Sequence, residues 1–383
     1  MKNPITFTSG CAISAHRFCL SANIDELDTW DCFSKTIIYK HLEQQNWSCL
    51  DLEGWKVISV AYQSREGEPS IISLDQEGDV GIFQQNNNEH QEIRYKLEEK
   101  IYGQFNHVRV INGDLYACGD GSQVYKNNQN EWKSIGMGLE EDPIELKNQD
   151  LSFLKYENDL AFNKCFYDIN GFNNNALYVC GTQKEDGFMA FFNGNNWIEI
   201  NRIATSALYG IRLCPDGKNI LITGQDGTLL KGNIDDGFKS LKNRSINSTF
   251  YNAAFYQDVI YIASEQGLYR YKNSEYSIVS ELSDVQGVIS VEEKDGILWV
   301  LSYKHLIRFD GKTWDRINQP DNDEIQYSQL KCRVGEVCPR SGDWWSPAIN
   351  MEKRHFDQGE TMPEIPNNPW GETIWYLDIE SND

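Results

Sequence analysis

The sequence predicts an all-β fold, a β-propeller of about seven four-stranded blades, and three observations predict it. One strand-turn-strand unit recurs along the chain. The recurrence is regularly spaced. The composition suits pleated strands: eleven Trp and nineteen Tyr stand among 383 residues, and aromatic rings pack well on a half-buried pleat.

The recurring unit is a polar turn, a short apolar strand, a tight Gly-containing turn and a second alternating strand. It is legible as GDLYACGDGSQVYKNNQNEW from Gly113, NALYVCGTQKEDGFMAFFNGNNW from Asn175 and KNILITGQDGTLLKGN from Lys218. DVIYIASEQGLYRYKN from Asp258 and GILWVLSYKHLIRFDGKTW from Gly296 continue it, and PSIISLDQEGDVGIFQQNN from Pro69 is a weaker copy. Ile72, Leu115, Leu177, Ile220, Ile260 and Leu298 are read as equivalent strand positions. Their spacing is that of propeller blades, about 40–50 residues, with one longer step that holds the acidic insert GLEEDPIELKNQD.

The turns supply a local mechanism. Asn193-Gly194 and Asp310-Gly311 sit between strands, where a type I′ turn with positive φ is expected. Trp197 and Trp314 follow at the same place in their blades, and are read as packing between blades. Six units lie between about Gly54 and Pro320, and residues 1 to about 53 are read as a further blade. The Trp-Asp pairs lack the Gly-His element of WD40 repeats, so that class is not expected. Residues 1–320 are thus read as the propeller, and 321–383 as an irregular extension packed on it.

The extension has thirteen acidic and five basic residues, four Trp and five of the ten Pro. So much ring content favours order over a floppy end. Within it run C-P-x-S-G-x-W-W, R-x-F-x-x-G-x-x-M-P and P-W-G-x-T-I-W-Y-L. These place Cys338, Pro339, Ser341, Gly342, Trp344, Arg354, Phe356, Gly359, Met362, Pro363, Trp370, Gly371, Trp375 and Tyr376 in order. This pattern resembles a terminal module of bacterial immunity proteins encoded beside secreted polymorphic toxins, including Rhs-type, type VI secretion-linked effectors. The resemblance covers about 45 residues. It implies a chain that neutralises a cognate toxin by stoichiometric binding, with no enzymatic activity of its own.

Charge agrees with that expectation. The formal net charge is −22, which repels phosphate and suits a basic protein partner. Nucleic acid and membranes are not expected partners. A basic, cytoplasm-acting toxin such as a nuclease is, and the free chain is expected to be monomeric. The N-terminal residues show no signal-peptide run, and no stretch approaches the about 18 apolar residues of a membrane span. Ten singly scattered Cys fit a reducing, cytoplasmic setting. The binding face is expected where second-to-third-strand loops gather with the connections between blades. The candidate residues there are Asp120, Glu185, Asp186, Asp226 and Glu265, with Glu140, Glu141 and Asp142 of the insert. Trp344 and Trp345 of the extension are the alternative contact.

Catalytic patterns are weak. Cys332 and Cys338, with His355 beyond, fall outside the Cys spacing of structural zinc, so a labile disulfide or two buried thiols is preferred. No metal, cofactor or catalytic residue is assigned. GxSxG, HExxH, Walker and GxGxxG patterns are missing. FDGKTW echoes the sialidase Asp-box poorly, because Ile307 stands where Ser is needed. A glycan-binding or glycan-cleaving propeller, or a generic interaction scaffold, is the alternative reading.

Overall fold

The computed structural model describes residues 4–377 apart from 28–31, 66–67, 86, 95–99, 102, 129–130, 143, 146–161, 201–203, 242, 244, 323–330, 339–340, 350–351 and 367–372. It contains seven consecutive four-stranded antiparallel meanders, at 5–53, 57–92, 105–134, 164–199, 208–240, 250–278 and 288–317. These are the blades of a β-propeller. Short strands Lys100–Ile101 and Ile144–Glu145 pair between the connections that flank blade 3. Among the described residues no helix is long and apolar enough to cross a membrane.

Local turn chemistry explains the hairpins. Asn112-Gly113 closes a two-residue loop beyond the Ile111–Asp114 pair, with φ of 50° and 85°. Asp295-Gly296 repeats it at 51° and 78°. Both residues of a type I′ turn need positive φ, which Asn, Asp and Gly tolerate best. The expected type I′ turns at Asn193-Gly194 and Asp310-Gly311 do not form. Only the glycines take positive φ there, 93° and 94°, in four-residue loops. The Asn193 and Asp310 side chains instead each accept two backbone N–H bonds from the residues two and three positions on, at 2.8–3.0 Å. A short carboxylate or amide that can reach its own loop stabilises this alternative turn.

Apolar positions on both faces of each meander fill the spaces between neighbouring blades. Val80, Ile82, Phe105 and Leu115 share one cluster between blades 2 and 3, and Tyr256, Val291, Val300 and Ile307 another between blades 6 and 7. Trp197 belongs to the cluster of blades 3 and 4, where its indole N–H donates to the Ile135 carbonyl at 2.7 Å. Trp314 stacks on Phe309 at 4.1 Å beside the blade 6–7 cluster. One equivalence shifts by a residue: strand register aligns Ile71, not Ile72, with Leu115, Leu177, Ile220, Ile260 and Leu298. Both isoleucines are buried, one towards each neighbour, so the sequence pattern did not distinguish them.

The ring closes without a shared strand, since blades 1 and 7 are each built from contiguous chain. The Glu292 carboxylate accepts the Ala12 N–H at 2.7 Å, and the Tyr303 carbonyl accepts that of Phe7 at 2.9 Å. The fully buried Trp299 donates its indole N–H to the Ser14 carbonyl at 3.1 Å and lies 5.4 Å from the Phe18 ring.

The chain divides into two compact units, Thr6–Ile317 and Met1–Ile5 with Asn318–Asp383. The second holds a sheet of four short strands, Lys331–Arg333, Gly342–Trp345, Lys353–Phe356 and Ile374–Leu377. The last strand lies between the first two in space, so the order is not a meander. That order is why no blade pattern is legible here. Trp344, Trp375, Met362, Cys332, Cys338 and Leu377 form its core.

Candidate protein-binding face

A repeated bulge shapes the centre of the ring. In blades 2 to 7 the pairing of the first two strands slips by one residue, around Ile58, Asn106, Tyr167, Tyr209, Tyr251 and Ile289. A bulge re-aims the extra side chain, and all six line a central channel of about 450 Å³ together with Thr8 of blade 1. The bulges fall near the start of each innermost strand. They therefore stand at the end of the channel where inter-blade connections and second-to-third-strand turns meet.

Contacts confirm that end. Gln225, in the turn of blade 5, donates to the Tyr209 hydroxyl at 3.3 Å. Asn106 donates to Asp120 of the blade 3 turn at 2.9 Å. Burial raises the Tyr251 hydroxyl to about 12, with the Tyr303 phenol and the Glu265 carboxylate adding to it. Tyr167 stacks on Tyr209 at 5.1 Å, and Tyr209 lies 6.1 Å from Tyr251. Three half-buried tyrosines from consecutive blades thus form an arc at the mouth.

The residue after the bulge in blades 2, 4 and 6, and Ser9 of blade 1, tie neighbouring blades. The side-chain oxygens of Ser9, Ser59, Asp168 and Asn252 each accept an N–H from the next blade's innermost strand, from Val60, Val108, Ile211 and Val291. Asp168 also takes three charge-assisted bonds from the Arg109 guanidinium, at 2.8, 3.0 and 3.2 Å, and lies 3.5 Å from His107. Burial opposes the Arg109 charge, but the Asp168 carboxylate more than offsets it and the arginine's pKa rises. His107 falls to about 4, because burial and the nearby guanidinium groups outweigh the pull of Asp168. Arg212 donates to the Ala253 carbonyl at 2.7 Å and lies 3.7 Å from Glu292. These charges are engaged in holding blades together.

The sequence-assigned carboxylates fall at this same end, but in two roles. Glu141 is a tie: it accepts the backbone N–H groups of Asn163 and Lys164 at 2.9 and 2.7 Å. Its own N–H donates to the Gly121 carbonyl, which pins the insert to the blade 3 turn. Glu140 accepts from the Ser134 hydroxyl at 2.6 Å, and Asp120 is half-buried against Asn106. Asp142, Glu185, Asp226 and Glu265 are exposed, and Asp186 is half-buried beside Glu185. Of the tryptophans assigned to a partner, Trp344 has 0% exposure and no surface to offer. Trp345 is half-buried and stacks on Tyr376 at 4.7 Å. Cys332 and Cys338 are buried thiols, Cys332 raised to about 11 by burial and by Glu336, and His355 pairs with Asp343 at 2.8 Å.

The tyrosine arc and the charged channel were missed from sequence, although a signal exists. Phe7-Thr8-Ser9, Val57-Ile58-Ser59, Phe105-Asn106-His107, Phe166-Tyr167-Asp168, Leu208-Tyr209-Gly210, Phe250-Tyr251-Asn252 and Val288-Ile289-Ser290 repeat one apolar-variable-small-or-polar triplet per blade.

No protein-family profile matches the chain. The immune protein Tsi7 of Pseudomonas aeruginosa is 22% identical over 306 residues, spanning 79% of this chain and 84% of that protein. Among solved structures, a catalytically inactive virginiamycin B lyase from Staphylococcus aureus with quinupristin superimposes with a TM-score of 0.56. It is 10% identical and covers 79% of this chain and 94% of its own. The WD40 β-propeller domain of Doa1 gives a TM-score of 0.55 at 10% identity, over 80% of this chain and 93% of its own. At that identity the two structures share the fold alone.

Proposed function

We propose that this chain is an immunity protein that binds a cognate toxin protein stoichiometrically in the cytoplasm and blocks it. The similarity to an immune protein over 84% of that protein's length carries the reading. The order of Cys, Gly, Trp and Pro in the extension, which resembles polymorphic-toxin immunity modules, supports it from a second part of the chain.

The face bearing the tyrosine arc is the docking surface in this reading. Its exposed turn carboxylates Asp142, Glu185, Asp226 and Glu265 would draw a basic toxin and speed encounter. The ionic groups deeper in the channel bond one blade to the next, and the reading assigns them to the scaffold rather than to chemistry. Co-expression tests the function. A candidate toxin, taken as the protein that co-purifies with this chain from its native host, is produced in a sensitive host with and without this chain. Protection supports the proposal; undiminished killing with both proteins soluble overturns it.

A further inference from the structure

The mouth of the channel carries more than negative charge. Beside the arc, a cavity of about 640 Å³ opens where blades 6, 7 and 1 meet, lined by Glu265, Asp284, Tyr303, Lys304 and His305 among others. Most of its charges are engaged. Lys304 pairs with Asp25, and Asp284 with Arg316 at 2.6 Å. Burial lowers the pKa of His305, which disfavours its charged form. Glu265 stands exposed at the rim, close enough to Tyr251 for its charge to act on that phenol. Tyr303 is 44% exposed and joins Tyr251 to the cavity.

From the arc of Tyr167, Tyr209, Tyr251 and Tyr303 bounded by Glu265, we infer that this mouth receives an arginine-bearing segment of the partner protein. A guanidinium is planar, stacks on phenol faces and pairs with a carboxylate in the same pose. Rings presented side by side by rigid strands lose little freedom on binding. A lysine ammonium fits the charge but not the stacked geometry, and an apolar segment would bring no countercharge to Glu265. The inference deepens the immunity reading and rests on it for the identity of the partner, although not for the chemistry of the mouth.

The test uses the full-length chain and a hexa-arginine peptide, titrated calorimetrically at about 0.15 M salt so that long-range field effects are screened. A one-to-one component is expected. Loss of two stacking partners and of their contact with the guanidinium in Tyr209→Ala/Tyr251→Ala should weaken it by about tenfold or more. Tyr209→Phe/Tyr251→Phe keeps the rings and should retain binding within about threefold. Glu265→Gln and Tyr303→Ala lie at exposed positions, so they report even if the double alanine variant does not fold; each should weaken binding several-fold. Hexa-lysine should bind more weakly than hexa-arginine. Equal binding by wild type, the folded Tyr209→Ala/Tyr251→Ala variant, Tyr303→Ala and Glu265→Gln, or equal binding of the two peptides, overturns the inference. The co-expression experiment separates the two proposals. Protection that survives all the mouth variants sinks the mouth alone, whereas no protection by wild type sinks the immunity reading and leaves the peptide result to judge the mouth.

Discussion

Glu292 of the last blade accepts the backbone N–H of Ala12 in the first at 2.7 Å, and this bond lies at a seam where no strand is shared. The same carboxylate lies 3.7 Å from Arg212 across the channel. Losing it leaves a half-buried N–H without its acceptor and the Arg212 guanidinium with carbonyl partners alone. Glu292→Ala is therefore expected to cost about 1–3 kcal/mol, read as a Tm drop of several degrees. Glu292→Gln keeps an acceptor and should lose less. Equal melting of Glu292→Ala and wild type would mean that packing of Trp299 closes the ring without help.

Asp168 holds Arg109 and the Ile211 N–H at once, and is 3% exposed. Asp168→Ala strands a half-buried guanidinium and leaves the Ile211 N–H without its acceptor, which should cost about 1–3 kcal/mol. Asp168→Ala/Arg109→Met removes both charges and should recover part of the loss. Chemical denaturation of the four species measures the coupling.

His107 gives the ring a pH dependence with a definite sign. Its pKa is depressed from 6.5 to about 4 in the folded chain, so the unfolded chain binds its proton first on acidification. The stabilisation is complete above pH 6.5 and declines as pH falls from there towards about 4. His107→Gln should flatten the Tm slope across the upper part of that window, where carboxylates contribute least. An unchanged slope would mean that the imidazole titrates alike in the folded and unfolded chain.

Reversing the acidic insert as a block would confuse two effects, because Glu141 is a tie and Asp142 is exposed. Glu141→Lys frees the N–H groups of Asn163 and Lys164 and is expected to lower Tm. Glu185→Lys/Asp226→Lys/Glu265→Lys should leave Tm within a few degrees, slow association with the toxin and flatten its salt dependence. Stopped-flow association at several salt concentrations distinguishes them.

Much of the ring was legible because its signals are local. Runs such as Leu115–Gly119 and Ile220–Gly224 declare themselves within five residues, and the glycine turns punctuate them. The channel was not legible in the same way. His107, Arg109, Asp168, Arg212 and Glu292 come from four different blades, and only the closed ring sets them side by side. Asn193 and Asp310 misled for a related reason. Their side chains satisfy the turn by themselves, which relieves the backbone of the positive φ that an Asn-Gly or Asp-Gly pair suggests. Trp344 looked like a contact residue because a Trp-Trp pair in an acidic tail is conspicuous. Its ring is a core residue of the extension, and Trp344→Ala should accordingly make the extension sensitive to protease at Lys353 and Arg354.

The most direct test of the account is hydrogen–deuterium exchange of the full-length chain, alone and saturated with the toxin protein that co-purifies with it from the native host. The account predicts a one-to-one complex with slowed exchange in the turns at Asp120–Gln123, Lys184–Glu185, Gln225–Gly227 and Glu265–Gln266 and at the tyrosine bulges. Exchange at the opposite end, in the loops at Asn112-Gly113 and Asp310-Gly311, should not change. Protection confined to that opposite end, or no complex at all, would contradict it.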